Sequence, residues 1–279
     1  MRAPPREGLR TATWLVLALT FALAQAGCKD VTIGGSRKAT LTYTDDAHAA
    51  YEEAMASYRA KAWEDARLLF GEVKKLFPYS RYAALAELRI ADCDFEQEKY
   101  TEAASGYREF IQNHRSDRDV EYARYRIAKS LYRDIDETLF LPPQEERDQA
   151  TALEAYKELS VFERENPKSR YADDVHKMLD AVRGRLMRHE LYVARFYLRE
   201  DRFAATIARI DHALKLYPGS SLEPEALVLK GETLLKMDKP ADARAVFQKV
   251  IDAYGGPFAV TARRFVADID AQKRAAKGP

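Results

Sequence analysis

Cysteine is scarce in this chain. Cys28 and Cys93 are the two examples among 279 residues, too few for a small fold stapled by disulfides. Glycine and proline are also sparse, at 12 and 11 residues, and this composition points to a helical, soluble body. Excess charge of one sign is missing as well. The formal net charge is +1, and setting aside the first 27 residues, which hold Arg2, Arg6 and Arg10 against Glu7, leaves 42 basic and 43 acidic residues. A net of −1 gives no global field to recruit nucleic acid or an anionic membrane. His48, His114, His176, His189 and His212 have no metal-ligand spacing and no HExxH. No glycine-rich phosphate loop, nucleophile elbow or calcium loop occurs. The many carboxylates alternate with lysine and arginine on helix faces, the pattern of a solvated surface. The expectation is a binding protein without a cofactor or a catalytic site.

The N-terminus reads as an address. Three arginines precede a mostly apolar run from Ala12 to Ala26, short for a spanning helix and ending in small residues, as a secretory signal does. The end, Ala24-Gln25-Ala26-Gly27-Cys28, resembles a bacterial lipobox with Gln25 in place of the usual leucine. On that reading residues 1–27 are a signal peptide and Cys28 becomes the lipidated first residue of the mature chain, anchored by several acyl chains. A plain secretory signal with Cys28 as an incidental thiol is the alternative. Lys29 stands where aspartate would favour retention in the inner membrane, so the outer membrane is expected. Residues 28–43 are polar, with Gly34-Gly35-Ser36, and read as a flexible tether. Cys93 sits within a helical pattern and reads as a small buried apolar residue.

The body repeats one phrase: a small residue, a large apolar residue four later, and a proline closing three of the five copies. The small residues are Ala66, Ala103, Ala155, Thr206 and Ala243, spaced by 37, 52, 51 and 37. A tetratricopeptide repeat, a pair of antiparallel helices, takes about 34 residues. Two outer spacings are near that length, and two central ones carry insertions. Alanine at the marker lets helices approach to about 8–10 Å. Pro78, Pro167 and Pro218 stop the second helix of their repeats. Ser80, Ser169 and Ser220, with Asp117 in the second repeat, are expected to cap the following helices. The first insertion, Asp134 to Arg147, contains Pro142 and Pro143 and reads as a loop. The second extends a helix: Val175, Leu179, Val182, Leu186, Val193 and Phe196 keep one stripe over 171–199, roughly 40 Å of helix.

The resulting expectation is an all-α superhelical solenoid of five tetratricopeptide-like hairpins with a long helix between repeats three and four. Residues 44–170 form an N-terminal half of three repeats and 171–199 the connecting helix. Residues 200–270 form a C-terminal half of two repeats and 271–279 a polar, fraying tail. A superhelix of helix pairs leaves an extended concave face. Tyr51, Tyr58, Phe95, Tyr100 and Tyr125 are candidates to line it, with packing inside the repeats as the alternative role. Arg209 reads from its surroundings as a surface cation paired to a neighbour.

Longer runs carry a resemblance. Phe77-Pro78-Tyr79-Ser80-Arg81-Tyr82, Val120-Glu121-Tyr122-Ala123-Arg124-Tyr125-Arg126, Arg147-Asp148-Gln149, Asn166-Pro167-Lys168-Ser169-Arg170-Tyr171-Ala172-Asp173 and Glu190 to Tyr197 resemble the BamD lipoproteins of the bacterial β-barrel assembly machine. The resemblance runs from about Ala47 to Val250. It implies a lipid-anchored protein on the periplasmic face of the outer membrane. The C-terminal repeats would dock BamA-like POTRA domains, with other lipoproteins of the machine as further partners. The N-terminal repeats would hold unfolded β-barrel clients. Arg209 would lie on the BamA-facing surface. The competing readings are a tetratricopeptide adaptor of the Tol–Pal or cell-division type and a lipoprotein enzyme acting on peptidoglycan.

Overall fold

The computed structural model describes residues 34–135 and 143–276. The expected signal segment 1–27, Cys28, residues 136–142 of the first insertion and the last three residues lie outside that range. Among the described residues there are helices and no strands. In chain order they are α1 (Gly34–Arg59), α2 (Trp63–Leu76), α3 (Arg81–Glu96), α4 (Tyr100–Asn113), α5 (Val120–Arg133) and α6 (Ala150–Glu165). Then follow α7 (Ala172–Arg199), α8 (Phe203–Leu216), α9 (Glu223–Lys236), α10 (Pro240–Ala253) and α11 (Gly256–Ala276). Consecutive helices pack on one another, giving five hairpins and a closing helix.

The repeated phrase explains the packing. Ala66, Ala103, Ala155, Thr206 and Ala243 are all fully buried, as are Phe70, Tyr107, Leu159, Ile210 and Phe247 one helical turn later. Each small residue makes room and each large one fills the groove beside it. Thr206 hides its hydroxyl by donating to the carbonyl of Arg202 at 3.2 Å. At Gly231 on α9 the approach is closer still, because a Cβ there would meet the Phe247 ring at 2.5 Å.

Four hairpins turn in the same way. Lys61, Glu98, Asp201 and Asp238 adopt φ of 62°, 61°, 51° and 55°. Each sits between the helices of its hairpin and closes the first with a paired backbone cap, such as Lys99 N to Asp94 O at 2.9 Å and Arg202 N to Tyr197 O at 2.9 Å. Among the described residues the third hairpin shows no such turn, its helices being joined by the long insertion.

Helix starts agree only partly with the caps read from sequence. Ser80 is the N-cap of α3, its Oγ accepting from Ala83 N at 3.2 Å. Asp117, Ser169 and Ser220 instead accept from the amide two residues on, at 2.8, 3.1 and 3.3 Å. They shape the turn, and the helices begin after Asp119, Tyr171 and Leu222. The two ends also differ from expectation. Residues 34–43, read as tether, belong to α1, and 271–276, read as fraying tail, belong to α11. Both stretches lack proline and extend helices whose packed parts adjoin them, and 271–276 is rich in Ala, Lys and Arg. Lys273 and Arg274 complement the helix dipole at the end of α11.

The core does not part where the sequence suggested halves. One continuous cluster runs from Leu88 on α3 to Leu229 on α9, through Val175, Leu179, Val182, Leu186 and Leu191 of α7. Smaller clusters lie at the first hairpin around Phe70 and at the last around Phe247. The long helix is therefore a core element of the middle of the solenoid, shared by the repeats on either side.

Candidate functional site

Two regions gather the residues of interest. In the N-terminal repeats, α3 carries Asp92 in the middle of an apolar stretch, completely buried. A carboxylate there requires partners. Tyr107 and Tyr122 donate their hydroxyls to Oδ1 at 2.5 and 2.7 Å. Arg89 pairs with the other oxygen, and Nη2 of Arg126 lies 3.4 Å away. The Arg126 guanidinium also covers the Phe95 ring, 3.9 Å from its centroid, and donates to the Tyr107 hydroxyl at 2.8 Å. Burial pushes the Tyr107 and Tyr122 hydroxyls up, and Asp92 adds to the effect. Burial opposes the charge of Arg89, but Asp92 and a hydrogen bond with Tyr51 outweigh it and raise its pKa. The cluster thus holds two cations and two protonated phenols around one anion, and it joins the first three repeats.

The five aromatic candidates border this cluster. Tyr51, Phe95 and Tyr125 are buried, with 8%, 9% and 7% of their surface exposed. Tyr51 packs on Phe70 and Tyr82 with centroids 5.5 Å apart in each case, and Tyr125 stacks on Tyr171 at 4.1 Å. Most of their ring area is committed to the core. Tyr58 and Tyr100 are half-buried and keep accessible edges. Tyr58 meets Trp63 at 4.9 Å, Tyr100 meets Phe95 at 5.3 Å. Burial, reinforced by Asp92 and Glu96, pushes the Tyr58 hydroxyl up to about 12. Cys93, also fully buried, is pushed up to about 12 by burial and the flanking Asp92 and Asp94, which keeps it an unreactive thiol.

The second region lies where α7 meets α8. Arg209 forms an ion pair with Glu190; the Glu190 side chain is 8% exposed and that of Arg209 is 34%. Tyr217, buried behind them, has its hydroxyl pushed up by burial and by Glu190. Outside the pair an open cleft of about 380 Å³ is lined by Tyr197, Ala205, Ala208, Arg209 and His212. Phe196, 47% exposed, lies beside Tyr197 at 5.8 Å between ring centroids. This face offers a partly neutralised cation, accessible aromatic area and small residues that admit another backbone.

The loop before α6 is fastened to α7 between these regions. Gln149 donates to the carbonyls of Gln144 and Arg147, both at 2.8 Å, and accepts from Arg185. His189 Nδ1 lies 2.7 Å from the carbonyl oxygen of Glu145, and the Tyr192 hydroxyl donates to Glu146 at 3.0 Å. Sequence reasoning found Arg147-Asp148-Gln149 as a motif but not this role. It missed Asp92 too, although an acidic residue inside an alanine-rich apolar stretch was a visible signal. Among the described residues, no group of His, Cys, Asp and Glu side chains could hold a metal ion, and no helix is long and apolar enough to cross a membrane.

The YfiO model, described as an outer membrane lipoprotein, matches residues 44–249. A protein of Xylella fastidiosa strain Temecula1, named outer membrane protein assembly factor BamD, is 25% identical over 229 residues, covering 78% of each chain. Proteins of the same name from Caulobacter vibrioides and Neisseria gonorrhoeae are 25% and 26% identical, covering 82% and 84% of this chain and 72% and 90% of theirs. Among solved structures, the TPR2AB-domain:pHSP90 complex of yeast Sti1 aligns at 13% identity with a TM-score of 0.42, covering 84% of this chain and 86% of that one. The family match runs from within the first hairpin to within the fifth and includes the Gln149–Arg185 fastening and the Glu190–Arg209 pair, and the chain belongs to the YfiO family of outer membrane lipoproteins.

Proposed function

We propose that this protein is a binding scaffold for the assembly of β-barrel proteins in the outer membrane, held on the periplasmic face by lipid on Cys28. The observation that carries the proposal is the family match across 44–249, together with relatives named as outer membrane protein assembly factors along most of their length. The fold suits the task. A solenoid offers long surfaces for extended or folded partners, and Phe95, Tyr107 and Tyr125 of the first region share one continuous core with Tyr217 of the second. In this reading the α7–α8 face around Arg209 docks BamA-like POTRA domains, alongside other lipoproteins of the machine. The N-terminal repeats receive segments of unfolded barrel clients along the half-buried Tyr58 and Tyr100, on hairpins joined by the buried cluster around Asp92. The work is positioning rather than catalysis.

The test is co-purification from detergent-solubilised outer membrane. Arg209→Glu should lose recovery of a BamA-like partner while far-ultraviolet circular dichroism stays unchanged. Full recovery would remove this face from the interface. If only proteins of cell division or peptidoglycan turnover co-purify with the unaltered chain, the assembly reading fails as a whole.

A further inference from the structure

Three turns between repeats share one frame: Phe77-Pro78-Tyr79-Ser80, Asn166-Pro167-Lys168-Ser169 and Tyr217-Pro218-Gly219-Ser220. In the first two, the serine amide donates to the carbonyl three residues back at 3.0 Å. The third position faces solvent in all three. Lys168 and Gly219 suit that setting, but Tyr79 leaves 95% of its surface exposed, next to Leu76 at 62%. Lys75 and Arg81, both exposed, flank the pair. An aromatic with a polar tip, an aliphatic neighbour and two cations is the composition of an interfacial membrane contact, with rings at headgroup depth and cations facing lipid phosphate.

The location fits. Tyr43 of α1 packs edge-on against Phe77, 5.3 Å between centroids, so this turn lies at the end of the first hairpin from which the chain runs back to Cys28. α1 rises about 14 Å from Tyr43 to Gly34, and the six residues from there to Cys28 span at most about 20 Å. Lipid on Cys28 would hold a bilayer within about 35 Å of Tyr43, which is one ring contact and two residues from Tyr79.

We infer that Tyr79 and Leu76 form a shallow lipid-contacting patch that sets how the first repeat lies against the membrane; the inference rests on Cys28 being the anchor. A thiol-reactive, polarity-sensitive fluorophore tests it on the full lipidated chain, placed at Tyr79→Cys and, as control, at Lys168→Cys. Cys93 is buried and does not compete for label. The protein is reconstituted into vesicles of phosphatidylethanolamine and phosphatidylglycerol. Emission from position 79 should shift to the blue and be quenched by a bilayer-embedded quencher, while position 168 does neither. An unshifted probe at 79 on protein that floats with the vesicles overturns the lipid contact alone. A shift at 79 that appears only after a protein partner is added overturns it in favour of a protein interface. Protein that does not float overturns the anchor and the contact together.

Discussion

Gln149 and Arg185 meet inside the molecule: Oε1 of Gln149 accepts from Nε of Arg185 at 3.1 Å, and both residues are less than a tenth exposed. The contact fastens the loop before α6 to the middle of the long helix. Gln149→Leu removes an acceptor from a buried cation and two donors from loop carbonyls. It should lower stability by about 2–3 kcal/mol. Urea denaturation gives the loss, and limited proteolysis should show new cleavage within residues 143–149.

Glu190 and Arg209 form the other fastening of α7. Arg209→Ala leaves a buried carboxylate without its cation and should cost about 2 kcal/mol. The double variant Glu190→Gln, Arg209→Gln should recover most of that stability without recovering partner binding. Thermal melting and co-purification of the same variants separate the two roles.

Two helix glycines should respond with opposite signs. A Cβ at Gly184 meets nothing within 4 Å, whereas one at Gly231 runs into the Phe247 ring. Gly184→Ala should therefore stabilise by about 0.5–1 kcal/mol, and Gly231→Ala should destabilise by about 1–3 kcal/mol. Denaturation midpoints measured side by side decide it.

The left-handed turn residues give a third class of test. A side chain at positive φ is strained, and glycine relieves it at some cost in chain entropy. Glu98→Gly and Lys61→Gly should each raise stability by about 0.5 kcal/mol or slightly more, visible as a higher melting temperature with unchanged helicity.

Asp174 supplies a pH dependence. Burial raises its pKa, but hydrogen bonds from Tyr125 and Lys129 more than reverse this and hold the carboxyl below its ordinary 3.8. A depressed folded-state pKa contributes stability above the unfolded value, and the contribution disappears as pH falls through the folded value. Asp174→Asn should melt below the unaltered protein at pH 7, and the gap should close below about 3.8. A gap that persists at lower pH would assign the loss to packing.

The solenoid was legible in the sequence because its governing signal is local. An alanine and a large apolar residue four later report the same face of one helix, and Ala66 with Phe70, or Ala243 with Phe247, needed no tertiary information. Cap positions were less legible, since serine and aspartate satisfy an amide two residues on as readily as they cap a helix, and Ser169 and Ser220 take the former course. The tail was misread because polarity was taken for irregularity, although lysine, arginine and alanine favour helix. Residues 34–43, with Gly34, Gly35 and two threonines, carry no helix signal of their own and continue a helix whose buried part begins at Ala47. The pairs that build the candidate regions were invisible. Glu190 with Arg209 and Asp92 with Tyr122 lie 19 and 30 residues apart on different helices, and nothing in local spacing selects one partner over another. Tyr51, Phe95 and Tyr125 show the same limit. An aromatic on an apolar stripe has the same spacing whether its ring lines a groove or fills the core.

The 28 residues of α7 are twice the 14 of α8, and this has a consequence for how the molecule can change. Each residue added to a helix turns everything beyond it by about 100° and advances it by 1.5 Å. α7 therefore works like the tooth count of a gear, fixing the angle at which the surfaces before it and after it face outward. One residue inserted near its middle would swing the Arg209 face about a quarter-turn away from the aromatic repeats, while seven would return it to within about 20°. Substitutions along its exposed side are cheap, but its length can change only in steps that keep the two surfaces in phase.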